Sequence, residues 1–169
     1  MKRLLVLVVI CLPLQALAQI EIRKVAEPTT TLASKQNLVG ELFEVVAIPV
    51  DTARIYALCV ETNNQYDHKM MIWLGLSQQD AVASLLNIDA LFDEKPGTTY
   101  ELQLLDGKVT AKLRENGTAL FPTKKNKYGL YLSGRGYAGA QVLTRPILES
   151  LIKQTKQYGE NANDRSRAS

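Results

Sequence analysis

The chain carries one strongly helical run between two stretches rich in strand-forming residues. From Ser77 to Phe92 the apolar residues Ala81, Val82, Leu85, Leu86, Ile88 and Phe92 recur at helical spacing. Ser77 offers a side-chain oxygen to the free N–H groups of the first turn, and Asp80 suits the positive end of the helix dipole. Pro96-Gly97 stops whatever helix remains. Asp89 interrupts the apolar face, where a lone carboxylate is costly to bury. The spacing therefore predicts a break at Asn87, with Asp89 capping a short second turn, Ala90 to Asp93. A sharper reading makes Asp89 a buried catalytic acid, but caps are far commoner than perturbed acids.

Strand patterns flank this helix. Before it lie Leu42 to Val50, Ile55 to Thr62 and Lys69 to Leu74, with short polar turns between them, a pattern that predicts an antiparallel meander. After it, Thr98 to Leu105 and Lys108 to Glu115 flank Asp106-Gly107, the residue pair suited to a type I′ hairpin turn. Thr118 to Phe121, Tyr128 to Ser133 and Tyr137 to Thr144 are three further expected strands. Arg145 to Tyr158 is a second amphipathic helix, with Ile147, Leu148, Leu151, Ile152, Thr155 and Tyr158 on one face and Gly159 expected as its stop. No internal repeat is visible. The expected class is α+β: a mostly antiparallel sheet of about seven to eight strands with two packed helices. Without sustained strand–helix alternation, a doubly wound parallel sheet is not expected.

The first 18 residues read as a secretory signal peptide. Lys2 and Arg3 precede the apolar run Leu4 to Leu14, and Ala16-Leu17-Ala18 places small residues at a cleavage site. The expected organisation is residues 1–18 as signal peptide, 19–38 as an extended lead-in, 39–158 as a single α+β domain and 159–169 as a disordered tail. Within the lead-in, Pro28 to Thr31 reads as a linker. The expected destination is the periplasm or the secreted fraction. Cys11 would leave with the signal peptide, so Cys59 remains alone, expected as a buried small hydrophobe in a strand.

Net charge hides an asymmetry. Losing Lys2 and Arg3 lowers the formal charge from +3 to +1. Residues 19–107 hold six basic and thirteen acidic side chains, whereas residues 108–169 hold twelve basic and four acidic. The basic excess is densest at Lys124, Lys125, Lys127 and Arg135, interleaved with Tyr128, Tyr131 and Tyr137. Cations beside aromatic rings hold anionic polymers by charge and stacking. For an exported chain the expected partner is a protein or an anionic glycan or lipid surface rather than nucleic acid. The two oppositely charged halves also suit pairing, within one chain or between copies in a homo-oligomer.

Several motifs suggest chemistry. Gly134 to Gly139 spells G-x-G-x-x-G but lacks the following helix and the acidic residue that a dinucleotide site needs. Ile48 to Ala53 resembles the hydrophobic-Asp-Thr-Gly signature of retropepsin-like aspartic proteases over six residues. It departs from that signature at Ala53, where the family has glycine, and one copy implies a dimer for a catalytic pair. His68 is the only histidine, so a zinc site is short of ligands. No cofactor and no metal is expected. The leading expectation is a non-enzymatic binding module. The alternative is a small hydrolase using two of Asp51, Asp67 and Asp89, which requires two of them to share one pocket.

Overall fold

A computed structural model of the chain describes residues 29–61, 69–117, 123, 125–134 and 140–167, with side chains to Glu160 in the last helix. The signal peptide, Asp67, His68, the expected strand Thr118 to Phe121 and most of the G-x-G-x-x-G segment lie outside the described residues.

The architecture is α+β, with two four-stranded antiparallel sheets and two helices among the described residues. The first sheet is β1 (Thr30–Gln36), β2 (Leu42–Val50), β3 (Ala53–Glu61) and β4 (Met70–Gly75), in chain order. α1 (Gln78–Ala90) follows and ends in a single 3-10 turn, Leu91–Asp93. The second sheet is β5 (Thr99–Gln103), β6 (Lys108–Glu115), β7 (Tyr128–Ser133) and β8 (Gln141–Thr144), followed by α2 (Arg145–Arg167). Four antiparallel strands and a helix thus occur twice. This repeat is topological and has no counterpart in the residue pattern, because each unit meets the core with different side chains.

One core serves both units. Phe43, Leu58, Met70, Ile72 and Leu74 of the first sheet join Leu113, Leu130, Leu132 and Leu143 of the second. Ala81, Leu85 and Ile88 of α1 and Leu148 and Leu151 of α2 complete it. The alternation of β4 shows how local sequence builds this core: Ile72 and Leu74 are buried, whereas Trp73 between them is 38% exposed on the outer face. The two sheets also touch through backbone. Leu104 bridges Ile72, and the Leu105 N–H donates to the Met71 carbonyl at 3.0 Å.

Five local expectations change. The Asp106-Gly107 hairpin is not a two-residue type I′ turn. Gln103 pairs with Lys108, and Asp51, not Asp106, is the non-glycine residue with positive φ among the described residues. The loop is longer because Leu104 and Leu105 are drawn onto β4. α1 does not break at Asn87, and Asp89 is no cap; Arg145 compensates its carboxylate, so the helix runs on. α2 does not stop at Gly159, and the backbone expected as a disordered tail is helical to Arg167. A Cβ at residue 159 would lie 2.4 Å from Gln78 Nε2, so this glycine is a close-approach position where α1 crosses α2. The Gln78 amide donates there to the Thr155 carbonyl. Tyr158, expected on the apolar face, is 41% exposed. The Thr30–Thr31 part of the expected linker opens β1, an edge strand. Its open side is held by α2: the Gln154 amide accepts from the Ser34 N–H at 3.3 Å and donates to the Ser34 carbonyl at 3.2 Å.

Cys59 is buried on the outer side of the first sheet with Val46 and Ala57. Burial pushes its thiol up to about 11, so little thiolate forms near neutrality. A chromogenic disulfide reagent at pH 8 is expected to label Cys59 only as fast as the protein unfolds. Labelling as rapid as that of a small free thiol would show an open path to the sulfur.

Candidate functional site

The outer face of the second sheet is assembled by the β6–β7 hairpin. In β6, Val109, Ala111 and Leu113 turn inward, so Thr110, Lys112 and Arg114 turn outward. The register sets Lys112 opposite Tyr131 and Arg114 opposite Gly129. Gly129 is required by close approach: a Cβ there would meet Val142 Cγ1 at 2.6 Å. With no side chain at 129, Tyr131 lies down on the face and the Arg114 guanidinium sits 5.6 Å from its ring centroid. The Tyr131 hydroxyl accepts from the Gly117 N–H at 3.2 Å and donates to the Glu115 carbonyl at 3.1 Å. Both bonds fix the ring in place.

Just before β7, Thr123 is tied to Asn126 and Lys127 in a turn. The Asn126 side chain accepts from the Thr123 hydroxyl at 2.9 Å, and the Lys127 N–H donates to the Thr123 carbonyl at 2.9 Å. This turn presents Lys125 and Lys127. Lys125 Nζ lies 3.0 Å from Glu149 of α2. Lys127 Nζ lies 3.9 Å from Glu115 and 5.3 Å from the Tyr128 ring centroid. These lysine side chains are more than half exposed, and pairs of that kind contribute about 0–1 kcal/mol, so a polyanion can displace them.

Of the residues expected to bind, Lys127 and Tyr128 come together, but Tyr128 packs against the core, whereas Tyr131 lies on the opposite, outer face of the same strand. Lys125 turns toward α2. Lys124, Arg135 and Tyr137 lie outside the described residues. Lys112 and Arg114 were missed, although the alternation from Lys108 to Arg114 already placed both on one face. Neither has a carboxylate partner among the described residues, whereas Lys108 of the same strand is paired with Glu101.

The carboxylates behave differently. Asp51 is the exposed tip of a two-residue hairpin, with Val50 paired to Ala53 and φ of 51° at Asp51. The stretch that resembles a retropepsin-like motif is therefore a hairpin tip. Asp89 is bound by Arg145, which also grips Asp93: Nε reaches Asp89 Oδ1 at 3.2 Å, and Nη2 reaches Asp93 Oδ2 at 2.7 Å. The Arg145 guanidinium holds the Asp93 carboxyl below the usual carboxylate range, and the arginine is itself driven further toward its charged form.

Among the described residues no group of three or more His, Cys, Asp or Glu side chains is placed to hold a metal ion, and no helix is long and apolar enough to cross a membrane. Compared with family models, with curated proteins and with solved structures, the chain matches none.

Proposed function

We propose that this chain is an exported, non-enzymatic binding module that holds an anionic polymer, such as an acidic glycan, against the outer face of its second sheet. The observation that carries this reading is the outward-facing pair of half-buried Lys112 and exposed Arg114, free of carboxylate partners among the described residues and set around the anchored Tyr131 ring. Lys127 stands just before β7, beside Tyr128, whose own ring packs against the core rather than on this face. Cations fixed on a rigid sheet lose little entropy on binding, and an aromatic ring between them adds a stacking surface. The carboxylate hydrolase is the weaker reading, because Asp89 is engaged by Arg145 and Asp51 stands on a turn.

Retention on a sulfated-polysaccharide column tests the proposal. The chain from Gln19 is expected to bind at low salt and to elute as salt rises. By counterion release, the dependence on log salt should become shallower by roughly one unit for each cation removed in Lys112→Glu, Arg114→Glu and Lys127→Glu. Retention unchanged in the triple variant would sink the assignment. Equal loss in a control that alters Lys153 and Lys156 instead would show a response to net charge alone.

A further inference from the structure

A second feature lies between the two sheets' outermost strands, next to Asn116 and Asn126. The strands form two sheets, β1 to β4 and β5 to β8, which touch through the isolated Leu104–Ile72 bridge. Among the described residues β1 and β8 each have one strand neighbour and stand at the ends away from that bridge. A slot of about 320 Å³ lies between them, walled by Lys35, Gln36 and Leu38 on one side and by Val142, Thr144 and Ile147 on the other.

Among the described residues one side chain holds the outer edge of β8, which pairs there with β7 alone, and the Val142 N–H is turned to that edge. It donates to the Glu41 carboxylate at 3.3 Å. Backbone alternation then turns the Thr144 N–H and the Val142 carbonyl toward the same side. Glu41 thus occupies the place of a partner strand's carbonyl. Its loop is built beforehand: Asn37 Oδ1 accepts from the N–H groups of Val39 and Glu41, and Asn37 Nδ2 donates to Glu41 Oε2 at 2.7 Å. On the β1 side, Gln154 covers the edge at Ser34, and the slot begins at the next residue.

We propose that this slot takes a short extended peptide segment of a partner protein, added as a strand to the open edge of β8 in place of the Glu41 carboxylate. Strand addition draws affinity from main-chain hydrogen bonds and specificity from alternate side chains. β8 is four residues long, which limits the added segment to roughly three or four residues at about 3.3 Å each. One apolar side chain of the segment would rest on Val142 and Ile147. An acidic neighbour suits the exposed Lys35, which has no carboxylate partner among the described residues. The slot borders the turn that carries Lys127, through Asn116 and Asn126, but the proposal rests on the backbone of β8 and not on Lys112 or Arg114, so either reading can fail alone.

The probe is a phage-displayed library of seven-residue peptides panned on the full chain. The best sequence is then made as an acetylated, amidated peptide and titrated into ¹⁵N-labelled protein. The expected result is a shift of the Val142 and Thr144 amide resonances, with hydrogen exchange of Thr144 slowed at least tenfold. N-methylation of alternate peptide nitrogens should weaken binding at least tenfold. Glu41→Gln, checked for folding by thermal unfolding, should tighten binding about threefold or more, because a neutral acceptor is a weaker competitor than a carboxylate. If that variant unfolds, the N-methyl series on the unmodified protein decides. Failure to enrich any peptide, indifference to N-methylation, or shifts confined to Lys112 and Arg114 would overturn the proposal. So would concentration-dependent shifts of Val142 and Thr144 without peptide, which would make a second copy the occupant. Displacement of the peptide by inorganic sulfate alone would assign the slot to small anions and overturn it too.

Discussion

Replacing Leu148 by alanine is expected to destabilise the protein by about 3 kcal/mol, within the 2–5 kcal/mol range for leucine-to-alanine changes at fully buried sites. Leu148 is wholly buried on α2, and its cluster contains side chains from both sheets and both helices. A cavity there cannot be filled by one layer closing over it, since strands on two sides hold the walls apart. The same variant tests cooperativity. Trp73, the single tryptophan, sits on β4 of the first sheet, far along the chain from Leu148. Tryptophan fluorescence and far-ultraviolet circular dichroism should therefore shift to one lower midpoint together. A Trp73 transition that stays at its original midpoint while the dichroism signal moves would show two independently folding units and contradict the shared core.

Arg145→Ala is expected to lower stability by about 2–3 kcal/mol, somewhat below the cost of breaking a fully buried pair because the site is partly open to water. Arg145 and Asp89 are each about one quarter exposed. The arginine binds both Asp89 and Asp93 and lies 5.8 Å from the Phe92 ring centroid. Removing it leaves two carboxylates one turn apart at the negative end of the α1 dipole. Thermal unfolding should show a midpoint lower by about 5–10 °C. Pairing the change with Asp89→Asn should cost less than the sum of the single changes, since the two groups share one network.

The sign of the pH response follows from Asp93. Its carboxyl is held below the ordinary value by the hydrogen bonds from Arg145, so the stabilisation is present above the unfolded value of about 3.9. It is lost as pH falls through the lower folded value. Wild type and Asp93→Asn should differ at neutral pH and converge in acid. A difference that persists unchanged at the lowest pH where the protein stays folded would show that charge at Asp93 is not the cause.

Much of this fold was legible in local residue order. Leu42–Val50, Lys108–Glu115 and Tyr128–Ser133 were bounded correctly, the first as a near-continuous apolar run rich in β-branched residues and the second by an alternation that matches its burial. The α1 start was legible for the same reason: Ser77 and Asp80 form a reciprocal capping box, an interaction spanning three residues. Candidate binding residues were only partly legible. The lysine cluster near residue 125 drew attention by density, yet Lys125 turns toward Glu149. Lys112 and Arg114, spaced apart by apolar residues, gained meaning once Tyr131 was set beside them across the strand register.

Residue periodicity and turn chemistry decided which segments become strands and helices, since both act over a few neighbours. Tertiary structure decided where the elements end and what their charged residues do. Asp89 looked misplaced until Arg145, 56 positions later, supplied its counter-charge. Gly159 looked like a helix stop until Gln78 was found pressed against it. The conformations of Leu104 and Leu105 depend on β4, and the open edge of β1 depends on Gln154. In each case the deciding partner is remote in sequence. Folding brings it within hydrogen-bond or van der Waals range, and at that distance one long-range contact outweighs the few tenths of a kcal/mol by which local preferences differ.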